Sequence, residues 1–382
     1  MLPGVGVFGT GKSVRVLVPC LRARGFKVEA IWGRTADNAK EIAQELGIPF
    51  YTNKEDEVLL RKTVDFVCIM CSPHQHARIA VKALGIGKHV LCDRPAGLTQ
   101  TEVLKMVRAA QYYPTLISVL CHSLRFLPAY VHMKRHIQDG YVGCVQIIEA
   151  RVQCGSLIHD RYDWTCEDTM GGGILSTFGS HVIDIASFVT GLRAVRVHGL
   201  TRTFAKTTDA VCGIRQVSSD DFCSFQMELT NGALATVTLN SHCAGQFSQE
   251  LLVCGTEGNL VVRSGDLHGH KAAAKEEVLY LDVEDLKQAP DCVVPKPHVK
   301  GLAKMVAALR DAFATRSTAQ SWAKVPADSA ASFEDGLYVQ AVMEAVRHSS
   351  QSRQWVRVQL LQDETRQRGA FCRLYRMASA SM

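Results

Sequence analysis

Short apolar runs recur along the first 120 residues, and each is followed by a segment whose apolar residues are three or four positions apart. Such runs are typical of strands buried on both faces, and the spaced segments are typical of amphipathic helices that cover them. The alternation predicts an α/β arrangement with a doubly wound parallel sheet. The four runs are Val5–Phe8, Val28–Trp32, Val64–Met70 and Lys88–Cys92.

The pattern changes after about Phe126. Later segments are longer, and many alternate apolar with polar residues, as strands do when only one face is buried. The dipeptide Asn231-Gly232 between two of them is a typical hairpin turn. These features predict a second sheet, large, open and mostly antiparallel. Its predicted strands are Val145–Val152, Ala194–Thr201, Phe222–Leu229, Ala233–Ser241 and Leu251–Cys254.

Two helices are predicted in this second part. One covers about 180–189, and the other begins near Ser332, where Ser332 and Asp335 have the spacing of a capping box, and ends near His348. Residues 266–298 show little pattern of either kind. A chain of 382 residues is long for one core, so two domains are expected.

Composition limits the function classes. Apolar residues make up 47% and charged residues 21% of the chain, as in an ordinary globular protein. The net charge is +6, but four arginines lie close together in the C-terminal tail, so we expect no broad basic face and no nucleic-acid partner. No run approaches the roughly 18 to 20 apolar residues that span a bilayer, so we expect no membrane insertion.

The N-terminus is apolar, as in a signal peptide, but it lacks a basic n-region, and Lys12 and Arg15 interrupt it. Its removal would also delete the first predicted strand. The 14 cysteines are scattered through apolar runs without the spacing of a disulfide framework, which is typical of reduced cytosolic proteins. We therefore expect a cytoplasmic protein, with secretion to the extracellular matrix as the alternative.

Cys68 and Cys71 match C-x-x-C, but residues three apart on a strand point to opposite faces, so core packing is the favoured interpretation. His74 and His76 extend the group toward a metal cluster. Because no further ligand is close in sequence, we predict no metal site.

Residues 4–11, GVGVFGTG, hold two overlapping candidates for a dinucleotide-binding turn. Gly4, Gly6 and Gly9 satisfy G-x-G-x-x-G, whereas the register at Gly9 and Gly11 has Val14 in the third position. The turn must follow a strand and open a helix, because pyrophosphate binds the free N–H groups at the helix N-terminus. Only the second register meets this condition. The turn residues predicted to contact the cofactor are Gly9, Thr10, Gly11 and Lys12.

The end of the second strand bears on the choice of cofactor. An NAD enzyme usually has an acidic residue there, which binds the ribose 2′-hydroxyl. This chain has Arg34 with Thr35 beside it, and an arginine suits a 2′-phosphate. The sequence therefore predicts NADP(H), with NAD(H) as the alternative.

Several blocks of the sequence resemble one known superfamily. The stretch Ala83-Leu-Gly-Ile-Gly-Lys-His-Val-Leu-Cys-Asp-Arg-Pro95 resembles the motif A-L-x-x-G-K-H-V-L-x-E-K-P of the glucose–fructose oxidoreductase/inositol dehydrogenase superfamily. The opening MLPGVGVFGT and the stretch Ser332-Phe-Glu-Asp-Gly-Leu-Tyr338 resemble its glucose–fructose oxidoreductase domain-containing group. Shorter matches are Leu124-Arg-Phe-Leu-Pro128, Gly171-Gly-Gly-Ile-Leu175, Gly179-Ser-His-Val-Ile-Asp184, Asn231-Gly-Ala233 and Gly255-Thr-Glu-Gly258.

The resemblance covers residues 4 to about 356 and implies an N-terminal Rossmann domain followed by an α/β domain with a large open sheet. In this superfamily the outer face of that sheet commonly mediates dimerisation, so a homodimer or higher homo-oligomer is expected. The expected division is 1–124 for the dinucleotide-binding domain, 125–357 for the substrate and dimerisation domain, and 358–382 for a basic, flexible tail.

The resemblance also implies where catalysis takes place. Active members have a lysine in Glu-Lys-Pro, and an Asp and a His four residues apart after a triple glycine. In this chain Asp93 and Arg94 replace the Glu and the Lys, Thr177 replaces the Asp, and His181 is kept. Arginine cannot release a proton near neutral pH, whereas a histidine can act as acid or base. Weakened catalysis is therefore expected.

Further site residues follow from the same resemblance. Relatives place a Pro and a His beside the cofactor in the loop after the third central strand, and here that loop contains Ser72, Pro73 and His76. Trp164 resembles a cofactor contact, and the triple glycine 171–173 a loop that closely approaches the nicotinamide. The expected substrate residues are Arg125, His181 and Asp184.

These features together predict an NADP(H)-binding oxidoreductase that acts on a sugar, a polyol or a small carbonyl compound with weakened catalysis. The alternative is a catalytically degenerate scaffold or redox sensor that binds the cofactor, with a role in the extracellular matrix as a further option.

Overall fold

A computed structural model describes residues 2–158, 162–207, 216–245, 247–272, 274–284, 294–315 and 329–361. Its first sheet has six parallel strands in the order β3-β2-β1-β4-β5-β6. The strands are β1 (Val5–Phe8), β2 (Val28–Trp32), β3 (Tyr51–Thr52), β4 (Phe66–Ile69), β5 (His89–Cys92) and β6 (Ser118–Leu120). The connecting helices are α1 (Lys12–Ala23), α2 (Ala36–Leu46), α3 (Glu55–Leu59), α4 (His76–Gly85) and α5 (Gln100–Tyr112).

The second sheet has nine strands in the order β14-β13-β12-β11-β7-β10-β9-β8-β15. Among the described strands only β7 and β10 pair in parallel, and the other pairs are antiparallel. Its strands are β7 (Val145–Gln153), β8 (Ala194–Arg202), β9 (Phe222–Leu229), β10 (Leu234–Asn240), β11 (Ser248–Gly255), β12 (Gly258–Arg263), β13 (Asp266–Lys271), β14 (Glu277–Tyr280) and β15 (Val356–Arg357). The remaining helices are α6 (Pro128–Gln138), α7 (Ser180–Thr190), α8 (Lys296–Ala314) and α9 (Phe333–Ser352).

The predicted fold class is confirmed: a Rossmann-type parallel sheet precedes a second, mostly antiparallel sheet. The predicted apolar runs correspond to β1, β2, β4 and β5, and the capping box at Ser332 and Asp335 opens α9. One face of the second sheet packs with α6, α7 and α9 into a core, whereas the other exposes apolar side chains such as Ile147, Leu200 and Leu234.

Helix α8 and the strands β12 to β14 were not predicted. The strands are short, and β13 carries polar residues at most positions, so alternation is weak there. The apolar residues of α8 do recur at helical spacing, and Met305 and Leu309 are fully buried against the first sheet together with Leu17 and Leu21 of α1. A late segment of the chain thus completes the core of the first sheet. The predicted domain bounds stay a prediction, and residues 362–382 of the predicted tail lie outside the described residues.

One helical segment, Asp168–Thr190, is long and apolar enough to cross a membrane by length and composition alone. The segment contains polar residues such as Ser180, His181 and Asp184, so it is not an uninterrupted apolar run. Within the described residues, 83% of the most apolar window of this segment is buried inside the protein, as in a core helix of a globular domain.

The two glycine registers have different roles. The register at Gly9 and Gly11 joins β1 to α1, as predicted. Gly4 and Gly6 instead lie at the start of the strand, where neighbouring segments approach closely. A Cβ atom on Gly4 would overlap the carbonyl oxygen of Thr63, and one on Gly6 would lie 2.7 Å from Cγ1 of Val58.

We expect Gly4→Ala to destabilise the protein by roughly 1–3 kcal/mol, because the added methyl group has to displace backbone. Urea unfolding followed by circular dichroism measures the effect. The matched control is Gly85→Ala, at an exposed position where a Cβ would meet nothing within 4 Å. The control should be neutral or slightly stabilising. Equal stability of the two variants would contradict the close packing at Gly4.

Candidate active site at the carboxyl edge of the first sheet

The turn after β1 forms an open cradle at the N-terminus of α1. Gly9 has a φ of +134° and donates its N–H to the carbonyl oxygen of Trp32 at 2.9 Å. A Cβ on Gly9 would lie 2.6 Å from the carbonyl oxygen of Met70, so only glycine fits. Gly11 is the N-cap of α1, and a Cβ there would meet nothing within 4 Å. Open space beside free helix N–H groups suits a pyrophosphate.

The other residues predicted to bind the cofactor after β1 and β2 also lie at the carboxyl edge of the first sheet. Lys12 is exposed in the first turn of α1, and the methyl group of Thr10 packs against Gly33. Arg34 is exposed directly after β2, and the hydroxyl of Thr35 accepts a hydrogen bond from the N–H of Asn38 at 3.4 Å, which caps α2. The exposed side chain of Arg34 is therefore accessible to a ligand, whereas the hydroxyl of Thr35 already accepts one hydrogen bond from α2.

The loop after β4 is the third part of the edge. Ser72 precedes a short 3₁₀ turn that begins at Pro73. Burial, followed by the nearby charge of Arg34, lowers the pKa of His74, so Arg34 and this loop are electrostatic neighbours. Three of the predicted cofactor segments, the turn at Gly9, the residues at Arg34 and this loop, thus belong to one region.

His76 is fully buried, and both of its ring nitrogens face backbone carbonyls. Nδ1 lies 2.9 Å from the oxygen of Pro95, and Nε2 lies 2.8 Å from the oxygen of Cys71. The imidazole thereby connects the loop after β4 with the loop after β5. In this structure His76 stabilises the two loops, and both of its ring nitrogens are occupied by backbone carbonyls.

The loop after β5 brings Arg94 to His181. The backbone N–H of Arg94 donates to Oδ1 of Asp93 at 2.9 Å, and its Nη1 lies 3.6 Å from the same carboxylate. Nε of Arg94 donates to Nε2 of His181 at 2.8 Å. The predicted catalytic pair is therefore in direct contact across 87 residues of sequence.

This contact sets the state of His181. Since Nε2 accepts the hydrogen bond from Arg94, it carries no proton, and the proton of the neutral ring is on Nδ1. Burial first, then the charges of His298 and Arg94, lower the pKa of His181 well below its usual value. Nδ1 has no hydrogen-bond partner among the described groups. His181 is thus a neutral ring with one buried N–H available to a ligand oxygen.

Two further histidines flank His181. The ring of His298 lies 4.5 Å from that of His181 between centroids, and the ring of His122 lies 5.4 Å away. All three are buried. Nε2 of His298 and both ring nitrogens of His122 also have no hydrogen-bond partner among the described residues. Such atoms are costly to bury unpaired, so a polar group that reaches this cluster would be bound favourably.

Sequence reasoning missed both flanking histidines. His298 lies in α8, in a stretch that showed no pattern, so no signal in the sequence placed it near His181. His122 lies two residues after the end of β6, at the strand end where side chains of a parallel sheet meet ligands, and this position was a usable signal.

Thr177 lies in a π-helical turn, Leu175–Gly179, that leads into α7. π-turns are rare and are frequent at functional sites. The start of this segment is anchored by Asp220, whose carboxylate accepts from the N–H of Leu175 at 2.8 Å. Thr177 is half-buried, and its N–H donates to the carbonyl oxygen of Gly173 at 3.0 Å. It lies four residues after Gly173 and four residues before His181, as the resemblance implies.

The triple glycine packs onto the predicted cofactor loop. Gly171 has a φ of +92°, and a Cβ there would lie 2.7 Å from Cβ and Cγ of Pro73. Gly172 approaches the carbonyl oxygen of Thr165, next to Trp164 in a short 3₁₀ turn. Trp164 is half-buried. The segment around 164–173 therefore covers the edge where the strands of the first sheet end.

Arg125 and Asp184 form a buried ion pair. Nε and Nη2 of Arg125 donate to the two carboxylate oxygens of Asp184 at 2.8 and 2.5 Å, and Nη1 lies 3.2 Å from Asp335. Nδ1 of His122 lies 3.7 Å from the same Asp184 carboxylate. In this geometry the pair connects the end of β6 with α7 and α9. Its role as a substrate contact stays a prediction.

The cysteines and histidines give no metal centre within the described ranges, where no group of three or more His, Cys, Asp or Glu side chains could hold an ion. Cys68 and Cys71 are free thiols. Cys68 is buried in β4, and burial raises the pKa of Cys71 to about 12. Neither thiol has the lowered pKa of a reactive cysteine.

Comparison with known proteins agrees with this architecture. Residues 4–120 match the family described as "Oxidoreductase family, NAD-binding Rossmann fold", and residues 130–261 match the "GFO/IDH/MocA C-terminal domain". Glucose-fructose oxidoreductase domain-containing protein 2 of Homo sapiens is 48% identical over 370 residues, 95% of this chain and 95% of that protein. The chain belongs to the GFO/IDH/MocA oxidoreductase family.

A second relative and two solved structures extend this result. Glucose-fructose oxidoreductase domain-containing protein 1 of Xenopus tropicalis is 45% identical over 370 residues, 95% of this chain and 94% of that protein. A levoglucosan dehydrogenase in complex with NADH and levoglucosan shares the fold with a TM-score of 0.77 at 21% identity, covering 94% of this chain and all of that one. An oxidoreductase domain protein from Kribbella flavida has a TM-score of 0.78 at 24% identity and covers 94% and 99%.

The buried histidines make stability depend on pH. Burial, followed by the charge of Arg94, lowers the pKa of His298 to about 3, against 6.5 for the free side chain. Between these values the unfolded chain binds a proton that the folded chain does not. Stability therefore falls as pH decreases below 6.5, by up to about 1.4 kcal/mol per pH unit for this residue.

Between pH 6 and pH 4 we expect His298→Gln to reduce the slope of the unfolding free energy against pH by about 1.4 kcal/mol per pH unit. Urea unfolding at several pH values measures this slope. His348→Gln, at an exposed position, is the control and should leave the slope as in the wild type. An unchanged slope in His298→Gln would show that the buried ring does not resist protonation.

Proposed function

We propose that the protein is an NADP(H)-binding oxidoreductase that acts on a sugar, a polyol or a related small carbonyl compound, with weakened hydride transfer. The family and its NAD-binding Rossmann fold are the firm basis. The observation that carries the finer proposal is the contact between Arg94 and His181. This contact limits the predicted catalytic pair, whereas the cofactor residues predicted after β1 and β2 take no part in it.

The residues present fit a nicotinamide dinucleotide. A Cβ on Gly11 would stand in open space at the N-terminus of α1, where a pyrophosphate would be held by backbone N–H groups. Arg34 is exposed at the end of β2 and is available to a ribose 2′-phosphate. The loop at Pro73 and the triple glycine would enclose the nicotinamide. A bound nicotinamide supplies hydride exchange with the carbon of an alcohol or carbonyl.

The chain's own residues limit the proton transfer that must accompany this exchange. Arg94 keeps a positive charge and donates hydrogen bonds, but a guanidinium group does not release a proton near neutral pH. It also occupies Nε2 of His181, so the ring can offer a substrate oxygen only the N–H at Nδ1. Proton removal from an alcohol would require Arg94 to leave His181. This requirement accounts for the weakened catalysis that we propose.

The second candidate function is a catalytically degenerate, cofactor-binding scaffold or redox sensor. The same contact favours it, because a histidine held neutral and hydrogen-bonded to an arginine is poorly suited to acid–base work. Tight cofactor binding without turnover on any sugar or polyol would favour this candidate over the first.

We further propose that the protein forms a homodimer or higher homo-oligomer through the outer face of the second sheet, and that it is cytoplasmic, with secretion as the alternative. The exposed side chains of Ile147, Leu200 and Leu234 on that sheet support a contact with a second copy. Buried, free cysteines support a reducing compartment.

Arg34→Gln tests the choice of cofactor. We expect the variant to bind NADP(H) at least about tenfold more weakly, because a charge-assisted contact to the 2′-phosphate is lost, while NAD(H) binding changes little. The rise in Tm with each nucleotide measures this, since stabilisation follows RT ln(1 + [L]/Kd). Lys40→Gln, on the exposed face of α2, is the control. Absence of any Tm rise with either nucleotide in the wild type would refute cofactor binding.

Arg94→Lys combined with Thr177→Asp tests the catalytic part. We expect kcat on a panel of sugars and polyols to rise at least about a hundredfold, the usual contribution of a positioned acid–base group. Adding His181→Asn to the double variant should abolish the gain. If the double variant binds NADP(H) but shows no gain with any compound, the second candidate function is favoured instead.

A further inference from the structure

A cavity of about 470 Å³ lies at the end of α7 opposite to His181. It is lined by side chains from α6, from the last turn of α7 and from the start of α9. Ser187, in its wall, follows His181 by six residues, which corresponds to about 9 Å along the helix axis. None of the predicted cofactor residues lines it, so it is separate from the cofactor edge, although Arg125, a predicted substrate residue, forms part of its wall.

Positive charge dominates this cavity. Arg125, Lys134 and Arg193 line it, and Asp335 is the one carboxylate among its lining residues. That carboxylate is already shared: it lies 3.2 Å from Nη1 of Arg125 and 3.7 Å from Nη2 of Arg193, and it accepts the N–H of Ser332 at 3.0 Å in the capping box. Asp184, which is not one of the lining residues, neutralises Arg125.

Among the described carboxylates only Asp335 acts on Lys134, and it does so less strongly than Arg125. Nζ of Lys134 lies 3.8 Å from the ring centroid of Phe188, and within the described residues it has no hydrogen bond or ion pair. Burial first, then the nearby charge of Arg125, lowers the pKa of this ammonium group. A partly buried cation near the guanidinium group of Arg125 raises the free energy of the folded state unless an anion joins it.

The end of α7 does not supply that anion. A helix C-terminus carries about half a negative charge, spread over its last carbonyls. Two carbonyls in this last turn are already bonded, since Ser187 accepts the N–H of Gly191 at 2.8 Å and Ala186 accepts the hydroxyl of Thr190 at 2.7 Å. The three basic side chains of the cavity still exceed Asp184 and Asp335 by one positive charge, which is more than the half charge of the helix end. The cavity also has room for more than a single small ion.

We infer that this cavity is a second binding site, for a small molecule that carries a multivalent oxyanion group, either a phosphate or a pair of carboxylates. The anion would lie between Lys134 and Arg193, with Nζ and the guanidinium group as donors. The body of the molecule would lie along Phe188 and Ile137, which form the apolar part of the wall. This inference does not rest on the proposed oxidoreductase activity.

Isothermal titration calorimetry on the full chain tests it, with glucose 6-phosphate, citrate and inorganic phosphate as probes, at ionic strength matched with sodium chloride. Uncharged glucose serves as the control ligand. We expect saturable binding of glucose 6-phosphate or citrate, and the stronger of the two identifies phosphate or carboxylates as the recognised group. Lys134→Gln should weaken it at least about tenfold, and Lys134→Arg should restore it to within about threefold.

Two further variants separate this site from others. Arg34→Gln should leave binding unchanged, because that residue belongs to the cofactor edge. Arg193→Gln should weaken binding as Lys134→Gln does, and circular dichroism confirms that both variants are folded. The inference is overturned if no probe binds saturably, if Lys134→Gln binds as the wild type does, or if Arg34→Gln abolishes binding.

Discussion

Six parallel strands that end at one edge are the constraint on which the site depends. Parallel strands require crossover helices, so every loop that follows a strand emerges on the same side of the sheet. The loops after β1, β2, β4 and β5 therefore converge, although they are separated by up to about 80 residues of sequence. Free N–H groups at the start of α1 add a partial positive charge at that edge.

The second sheet contributes its chemistry to the same edge through α7. The π-helical turn and the triple glycine bring the start of this helix against Pro73 and Arg94, and the buried pair of Arg125 with Asp184 holds the helix to the end of β6. Breaking such a pair would leave an uncompensated buried charge, so α7 is held to the segment that follows β6. The position of His181 depends on that connection.

Arg94 shows how one side chain sets the state of its neighbour. A guanidinium group is always charged near neutral pH and donates in a fixed geometry. In contact with Nε2 of His181 it fixes the tautomer and opposes protonation of the ring. In this chain, the fold that supports hydride transfer in other proteins contains a histidine, His181, that is neutral, buried and hydrogen-bonded to an arginine.

Local pattern was sufficient for the elements that bury an apolar face of their own. The apolar runs of β1, β2, β4 and β5 and the capping box of α9 were predicted within a few residues, because strand and helix periodicity is a property of adjacent residues. The choice of Gly9 and Gly11 over Gly4 and Gly6 also followed from local order, since a phosphate turn must lie between a strand and a helix.

The sequence by itself therefore determined the two-sheet architecture and the position of the glycine turn between β1 and α1. Only the tertiary structure decided what those residues contact. His298 reaches His181 from α8, more than 100 residues away, and Lys134 meets Arg125 and Arg193 in one cavity. Such contacts depend on how helices pack on sheets, and charge and desolvation act through space, so no local pattern records them.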